Sequence, residues 1–200
     1  MNNLEELCDT IQNCTKCPFD SKKDVRYCGG VGTDYRAFFI AESPSTAGGV
    51  GIKDNTENFS KTGADRLFHS VRKKYGLENC YTTDLVKCGI AAGKPDQSKV
   101  DNCLAYLKEE IRLIRPIVIV AVGKTLKLAD NKNHIKFSDY LTEILETNIP
   151  IIETWHYSYV WNRCQLKKEL RVNPDISEII PEKLEKYERQ HKIIHDYLEN

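Results

Sequence analysis

Eight cysteines in 200 residues are the densest reactive chemistry in the sequence. Cys14 and Cys17 form a C-x2-C pair, and Cys88 and Cys103 follow far downstream with fourteen residues between them. A secreted chain with so many thiols would be read as disulfide-bonded. This one opens Met-Asn-Asn-Leu-Glu-Glu, with no basic stretch leading into an apolar one. That points to a cytoplasmic protein and to metal ligation by the cysteines. Four thiolates at these spacings suit zinc or a [4Fe–4S] cluster equally. Cys8, Cys28, Cys80 and Cys164 read as small buried hydrophobes, and on spacing alone Cys8 or Cys28 could replace one of the four.

The elements that must position these side chains follow from periodicity. Residues 2–12 have helical spacing, with Leu4, Leu7 and Ile11 on one face. Ala37–Ala41, Cys80–Val86, Ile117–Val122 and Pro150–Glu153 read as strands, and helices are predicted over 62–75 and Lys99–Ile114. Gly123 is expected to lead into a further short helix, and the pattern turns helical again from Tyr159. The Gly-, Ser- and Asn-rich stretch Ser43–Asn58 reads as a long loop. Strands alternating with helices predict an α/β fold of three layers, α/β/α, with a central, mainly parallel four-stranded sheet. In such sheets ligands bind beyond the carboxyl ends of the strands. Glu42-Ser43-Pro44, Asp84 to Cys88, and Thr154-Trp155-His156 should therefore converge. Residues 1–171 are expected to form this domain, with 172–200 a linker and a charged amphipathic helix appended to it.

Net charge is zero, 29 basic against 29 acidic residues, which speaks mildly against a nucleic-acid binder. Arg66, Arg72, Lys73 and Lys74 form one basic run and Arg163, Lys167, Lys168 and Arg171 another. By themselves both read as solvated helix faces. The longest apolar run, Ile117–Val122, is far too short to span a bilayer.

Several short motifs, in order, carry a resemblance. They are Cys14-Thr-Lys-Cys17, Cys28-Gly-Gly-Val-Gly32, Phe38-Phe-Ile-Ala-Glu42-Ser-Pro44, Phe59 with Gly63 after it, Thr82-Thr-Asp-Leu-Val-Lys-Cys88, Cys103, Pro116-Ile-Val-Ile-Val-Ala-Val-Gly123, and His156-Tyr-Ser158 with Arg163. Together they span about three quarters of the chain, and the pattern resembles the iron–sulfur uracil-DNA glycosylases, family 4 of that superfamily. The resemblance implies a structural [4Fe–4S] cluster on Cys14, Cys17, Cys88 and Cys103, and a monomer acting on DNA from which a nucleotide is flipped into a pocket. It further implies that Phe59 stacks on the base, with Ser43 and Asp84 beside it. His156 would donate a hydrogen bond to the pyrimidine O2 as negative charge develops there, and Glu42 would position water or offset charge on the sugar. Ser158, Arg163 and Lys167 would hold phosphates.

Two departures bear on the substrate. The family places Asn where this chain has Asp84; an ionised Asp only accepts hydrogen bonds and suits the amino group of a cytosine better than uracil O4. Tyr157 stands where the family usually has Pro, and the 44–59 loop is long, so a remodelled pocket mouth is expected to admit a bulky 5-substituent. A modified cytosine, of the hypermodified type found in some phage DNA, is therefore the expected substrate. An ordinary uracil repair enzyme and a catalytically silent lesion-binding module are the alternatives.

Overall fold

The computed structural model describes residues 3–18, 25–26, 30–44, 63–89, 94–162 and 181–200. Strands β2 (Asp34–Ala41), β3 (Cys80–Asp84), β5 (Val118–Val122) and β8 (Ile151–Thr154) form a sheet in the order β3-β2-β5-β8, with every neighbouring pair parallel. The period-two alternation of β2 explains why its buried part, Ala37–Ala41, is an unbroken apolar run. Ala37, Phe39 and Ala41 belong to one core cluster, and Phe38 and Ile40 to another on the opposite face. A strand segment covered on both sides tends to read as a near-continuous apolar run. Helices α2 (Gly63–Lys74), α5 (Tyr157–Asn162) and α6 (Pro181–Glu199) pack on the Phe39 face; α3 (Gln97–Ile114) and α4 (Phe137–Leu145) pack on the Phe38 face. The arrangement is the predicted three-layer α/β/α fold.

Local signals set the helix ends. Helix α1 (Leu4–Gln12) is capped by Asn3, whose side chain accepts the Glu6 amide at 2.9 Å. It lies against α3 through Leu7, Ile11 and Tyr106. Asp96 caps α3 by accepting the Lys99 amide, also at 2.9 Å, two residues earlier than apolar periodicity alone suggests. Such caps each contribute about 1 kcal/mol. At the other end Arg115 adopts a left-handed conformation (φ 54°), and Pro116 follows, where a helix cannot continue.

The structure departs from the sequence reading in three places. No helix follows Gly123. Instead β6 (Thr125–Leu126) pairs antiparallel with β7 (Ile135–Lys136), and α4 comes after them. The apolar spacing of Phe137, Tyr140, Leu141 and Leu145 carries that helix. The basic run on α2 is not uniformly solvated. Arg72 is buried and donates to Leu77 O at 2.9 Å, to Cys80 O at 2.5 Å and to Thr82 Oγ1 at 2.8 Å, with Phe39 and Phe68 against its guanidinium. Its fixed fork of donors matches the carbonyls of the turn leading into β3. The segment expected as an appendage contains α6, whose Tyr187, His191 and Ile194 are fully buried in the same cluster as Phe39 and Phe68.

A two-residue strand β1 (Val25–Arg26) pairs antiparallel with β4 (Cys88–Gly89). The glycine-rich segment nearby is fixed by an exchange of backbone hydrogen bonds between Val31 and Thr82. Gly32 has φ 136°, and a Cβ there would meet Cys80 O and Tyr81 Cα at 2.7 Å, so only glycine allows this approach. Above it lies a buried polar network. Glu110 of α3 accepts from Lys87 Nζ (2.5 Å), Thr83 Oγ1 (3.1 Å), Tyr81 Oη (3.2 Å) and the Gly30 amide (3.1 Å). Lys87 and Glu110 are 1% and 0% exposed. Removing one partner strands the other charge, a loss of about 3–5 kcal/mol, whereas replacing both by apolar groups of similar volume is often near neutral. Glu110→Leu should therefore lower the stability measured by urea unfolding by several kcal/mol, and Lys87→Met/Glu110→Leu should recover most of that loss. A Glu110→Leu protein as stable as the parent would show that the charges are not buried together.

Candidate active site at the carboxyl edge of the sheet

Three strands end at one cavity of about 550 Å³. β2 delivers Glu42 and Ser43, β5 delivers Val122 and Gly123, and β8 delivers Trp155 and His156, with Ser158, Tyr159 and Lys94 completing much of the wall. The convergence follows from the parallel register: Phe39 opposes Val120, and Val120 opposes Ile152, so the strands end level with one another. Gly123 (φ 125°) turns the chain beside the His156 ring; a Cβ there would lie 3.7 Å from His156 Cβ.

The protonation of His156 can be derived from its hydrogen bonds. The Ser158 amide donates to Nδ1 at 3.2 Å, and Ser158 Oγ lies 2.7 Å from the same nitrogen. An amide can only donate, so Nδ1 is the bare acceptor and the neutral ring carries its proton on Nε2. Burial, with the Lys94 ammonium nearby, lowers the pKa to about 4. At neutral pH the cavity therefore contains an uncharged imidazole with one N–H donor. A second buried histidine makes a useful contrast. His191 Nδ1 lies 3.0 Å from Tyr187 O, which can only accept, so the neutral ring has its proton on Nδ1 instead.

Glu42 is held by Lys94, whose Nζ lies 2.9 and 3.0 Å from the two carboxylate oxygens. Lys94 was not among the residues singled out from the sequence. Its signal was weak, a lone lysine after Gly93 in a turn, and only the fold brings it to Glu42 across 52 positions. The site thus pairs a positioned carboxylate with a neutral donor across one cavity, the arrangement needed to stabilise opposite charges separating along a breaking bond.

Asp84 ends β3 opposite Ala41, is 1% exposed, and is not among the residues lining the cavity. The loop over 45–59 lies outside the described residues, but Tyr157 does not widen the pocket mouth as expected. It is turned inward, stacked on Phe68 at 4.8 Å and on His156 at 4.4 Å between ring centroids. Burial, with Asp65 and Asp84 nearby, pushes its hydroxyl's pKa up. An aromatic ring at this position gains more by joining the core than by facing the opening. Phe59, Arg163 and Lys167, together with Cys28 and Cys164, lie outside the described residues.

The cysteines gather around the first half of α3. Cys103 is buried, and its sulfur accepts the Lys87 amide at 3.4 Å. Cys17 accepts from Asn102 Nδ2 at 3.3 Å. Burial raises the pKa of Cys103 even though the Lys87 amide works against it, and Cys17 and Cys14 are close enough to add to the rise. Tyr106 is raised to about 12 by burial and then by its hydrogen bond to Cys14, with Cys103 and Cys88 also near. All four thiols thus surround one turn of one helix. No group of three His, Cys, Asp or Glu side chains among the described residues is arranged to hold a single metal ion. The donor set is all sulfur, and two members already accept N–H donors of the kind that tune cluster thiolates. Cys80 is buried, as read from the sequence, whereas Cys8, read the same way, is only partly buried.

The two histidines can be told apart in solution. Two-dimensional NMR of the imidazole nitrogens at pH 7 should show His156 as the Nε2–H tautomer and His191 as the Nδ1–H tautomer, both resisting protonation until near pH 4. Removing the Lys94 charge (Lys94→Gln) should move the His156 midpoint upward, because a neighbouring cation opposes protonation. A His156 that titrates near its ordinary value would show that the ring is solvated and charged in much of the physiological range.

Known proteins share this arrangement of sequence. The profile of the Uracil DNA glycosylase superfamily matches residues 30–176. The type-4 uracil-DNA glycosylase of Archaeoglobus fulgidus is 27% identical over 183 residues, covering 84% of this chain and 88% of the relative. That of Pyrobaculum aerophilum is 23% identical over 181 residues, covering 84% and 90%. A type-5 uracil-DNA glycosylase from the same organism is 38% identical over a shorter stretch of 58 residues, 28% of this chain and 26% of the relative. With a family match across most of its length and a parallel sheet that opens on a carboxylate and a neutral histidine, the chain belongs to the uracil DNA glycosylase superfamily and is a hydrolase of the DNA glycosylase class.

Proposed function

We propose that this protein hydrolyses the N-glycosidic bond of a flipped-out uracil in DNA. The observation that carries the reading is the neutral His156 donor placed across a cavity from the Lys94-bound Glu42. As the bond between the base N1 and C1′ breaks, its electron pair passes to the base, and negative charge grows on O2. His156 Nε2–H donates to that oxygen. A neutral donor suits this task because it stabilises the anion without protonating it outright. Positive charge on the sugar meets the Glu42 carboxylate, which orients the attacking water; water oxygen bonds to C1′ and its proton passes to Glu42 or solvent. Ser43 lies on the same wall within the space a base would fill. Phe59 is proposed as its stacking partner, and Ser158, Arg163 and Lys167 as phosphate contacts. The names of the relatives support uracil as the base.

A second reading, excision of a modified cytosine, is favoured by one residue. Asp84 occupies the strand end beside Glu42's strand, and an ionised carboxylate there accepts from a 4-amino group and repels a 4-carbonyl. The inward turn of Tyr157 removes a second argument for it, and the third, the long 44–59 loop, lies almost wholly outside the described residues. Product analysis on DNA containing uracil or 5-modified cytosines separates the two readings. The wild type should release uracil, and Asp84→Asn should release it faster. His156→Ala should slow release by on the order of 10²–10³ without loss of folding. A wild type that ignores uracil and releases a modified cytosine would transfer the assignment to the second reading; a protein that binds DNA and releases no base would overturn both.

Cys14, Cys17, Cys88 and Cys103 are proposed to hold a [4Fe–4S] cluster. Bound there, such a cluster would cross-link the chain segments that carry these cysteines. The protein purified anaerobically should be brown, with about four irons per chain. Cys88→Ala should lose iron and thermal stability together. Stoichiometric zinc in place of iron would overturn the assignment.

A further inference from the structure

We propose that Trp155 and Tyr159, with Lys124, Lys183 and Lys186, form a platform that carries the DNA strand leaving the pocket. The inference rests on the DNA glycosylase reading and adds a binding surface to it. Lys124, Lys183 and Lys186 place their ammonium groups 5.9, 5.6 and 5.0 Å from the centre of the Trp155 ring, and Lys183 also lies 5.4 Å from that of Tyr159. Trp155 and Tyr159 meet edge to face, with centroids 5.5 Å apart and an interplanar angle of 78°.

Three cations around one indole repel one another, and none of the three is ion-paired with a carboxylate among the described residues. Lys94 and Lys74, by contrast, each have a carboxylate partner. Cation–π attraction offsets part of the repulsion. An anion between the lysines would offset more. Positive charge interleaved with aromatic rings is the composition that tracks a single strand: lysines take phosphates and rings take bases, without regard to sequence. The patch is continuous with the active site, because Trp155, Tyr159 and Lys124 also line the cavity.

Helix α6 supplies the remainder of the platform. Lys183, Lys186 and Gln190 fall at helical spacing on one face, and Gln190 Oε1 accepts the Trp155 amide at 2.8 Å, fixing the strand end that carries His156. The C-terminal helix would therefore work with the catalytic edge in holding DNA as well as in covering the core. Tyr159 is 42% exposed, which leaves ring surface available for a base.

The test is binding of a short single-stranded oligothymidylate, followed by fluorescence anisotropy at several salt concentrations. Lys183→Glu/Lys186→Glu should bind roughly tenfold or more weakly, and the slope of log affinity against log salt should shrink by about 1.4, the share of two phosphates on a single strand. Lys183→Arg/Lys186→Arg should retain wild-type behaviour. A variant with Trp161→Phe, in which Trp155 is the remaining tryptophan of the two, should lose fluorescence when the same DNA is added. Unchanged affinity and slope in the charge-reversed variant, in a protein whose wild type does release a base, would overturn the platform and leave the glycosylase reading standing. A wild type that releases no base would overturn that reading, while the binding comparison would still decide the platform.

Discussion

The buried Lys87–Glu110 pair is the constraint on which the site's construction depends. Taking both charges out of water costs several kcal/mol per ion, and only a nearly complete set of hydrogen bonds offsets it. Here each hydroxyl in the network both donates and accepts. Tyr81 Oη accepts the Gly30 amide and donates to Glu110; Thr83 Oγ1 accepts from Lys87 and donates to Glu110. Such a network permits one arrangement of its members, because a slip of one residue in β3 would turn Tyr81 and Thr83 to the opposite face. The neighbours in sequence inherit that precision. Asp84 follows Thr83, Cys88 follows Lys87, and the Lys87 amide itself reaches the Cys103 sulfur. One ion pair thus fixes the glycine-rich segment, the strand end beside the pocket and half of the cysteine set.

Electrostatics in the cavity depend on a second choice, the neutrality of His156. A charged imidazole would bind phosphate or a carboxylate in the resting protein, and would pair with Glu42 across the cavity. Burial and the Lys94 ammonium both oppose that charge, and Lys94 at the same time occupies Glu42. The lysine therefore keeps the carboxylate and the imidazole apart electrically while both face one space. The Ser158 amide then selects the tautomer. His191 shows that burial alone is not enough to specify the outcome: it is as strongly depressed, also to about 4, yet its carbonyl partner selects the opposite nitrogen.

Much of this was legible in the sequence because it is local or periodic. The apolar run Ala37–Ala41 of β2, the strand–helix alternation and the order of the motifs specify the layers and the strand ends that carry Glu42 and His156. What could not be read is non-local. Lys94 meets Glu42 only after the sheet has formed; Arg72 reaches carbonyls only five and eight positions on, yet a charged residue on a helix gives no sign in sequence that it will be buried with partners. Tyr157 was misjudged for the same reason. Beside a histidine and before a serine it looks like a rim residue, but α5 packs on α2, and the ring fills the space against Phe68. The helix at Phe137–Leu145 was readable in its own apolar spacing, and was obscured by the turn and the two short strands that precede it.

In the proposed reading, in which Asp84 meets the base, the choice of base turns on the hydrogen-bonding character of that one buried side chain. Asn at the end of β3 would present an N–H donor and a carbonyl acceptor together, the complement of uracil's O4 and N3–H. Ionised, Asp84 presents acceptors alone and complements an amino group. Neutral, it presents one O–H donor and one carbonyl acceptor, the same pair that Asn offers, and uracil fits again. Asp84 is 1% exposed, so water cannot make good a mismatch, and an unpaired group there costs about 1–3 kcal/mol, or tenfold to a hundredfold in rate. The substitution from amide to acid thus does not by itself move the enzyme from one base to another.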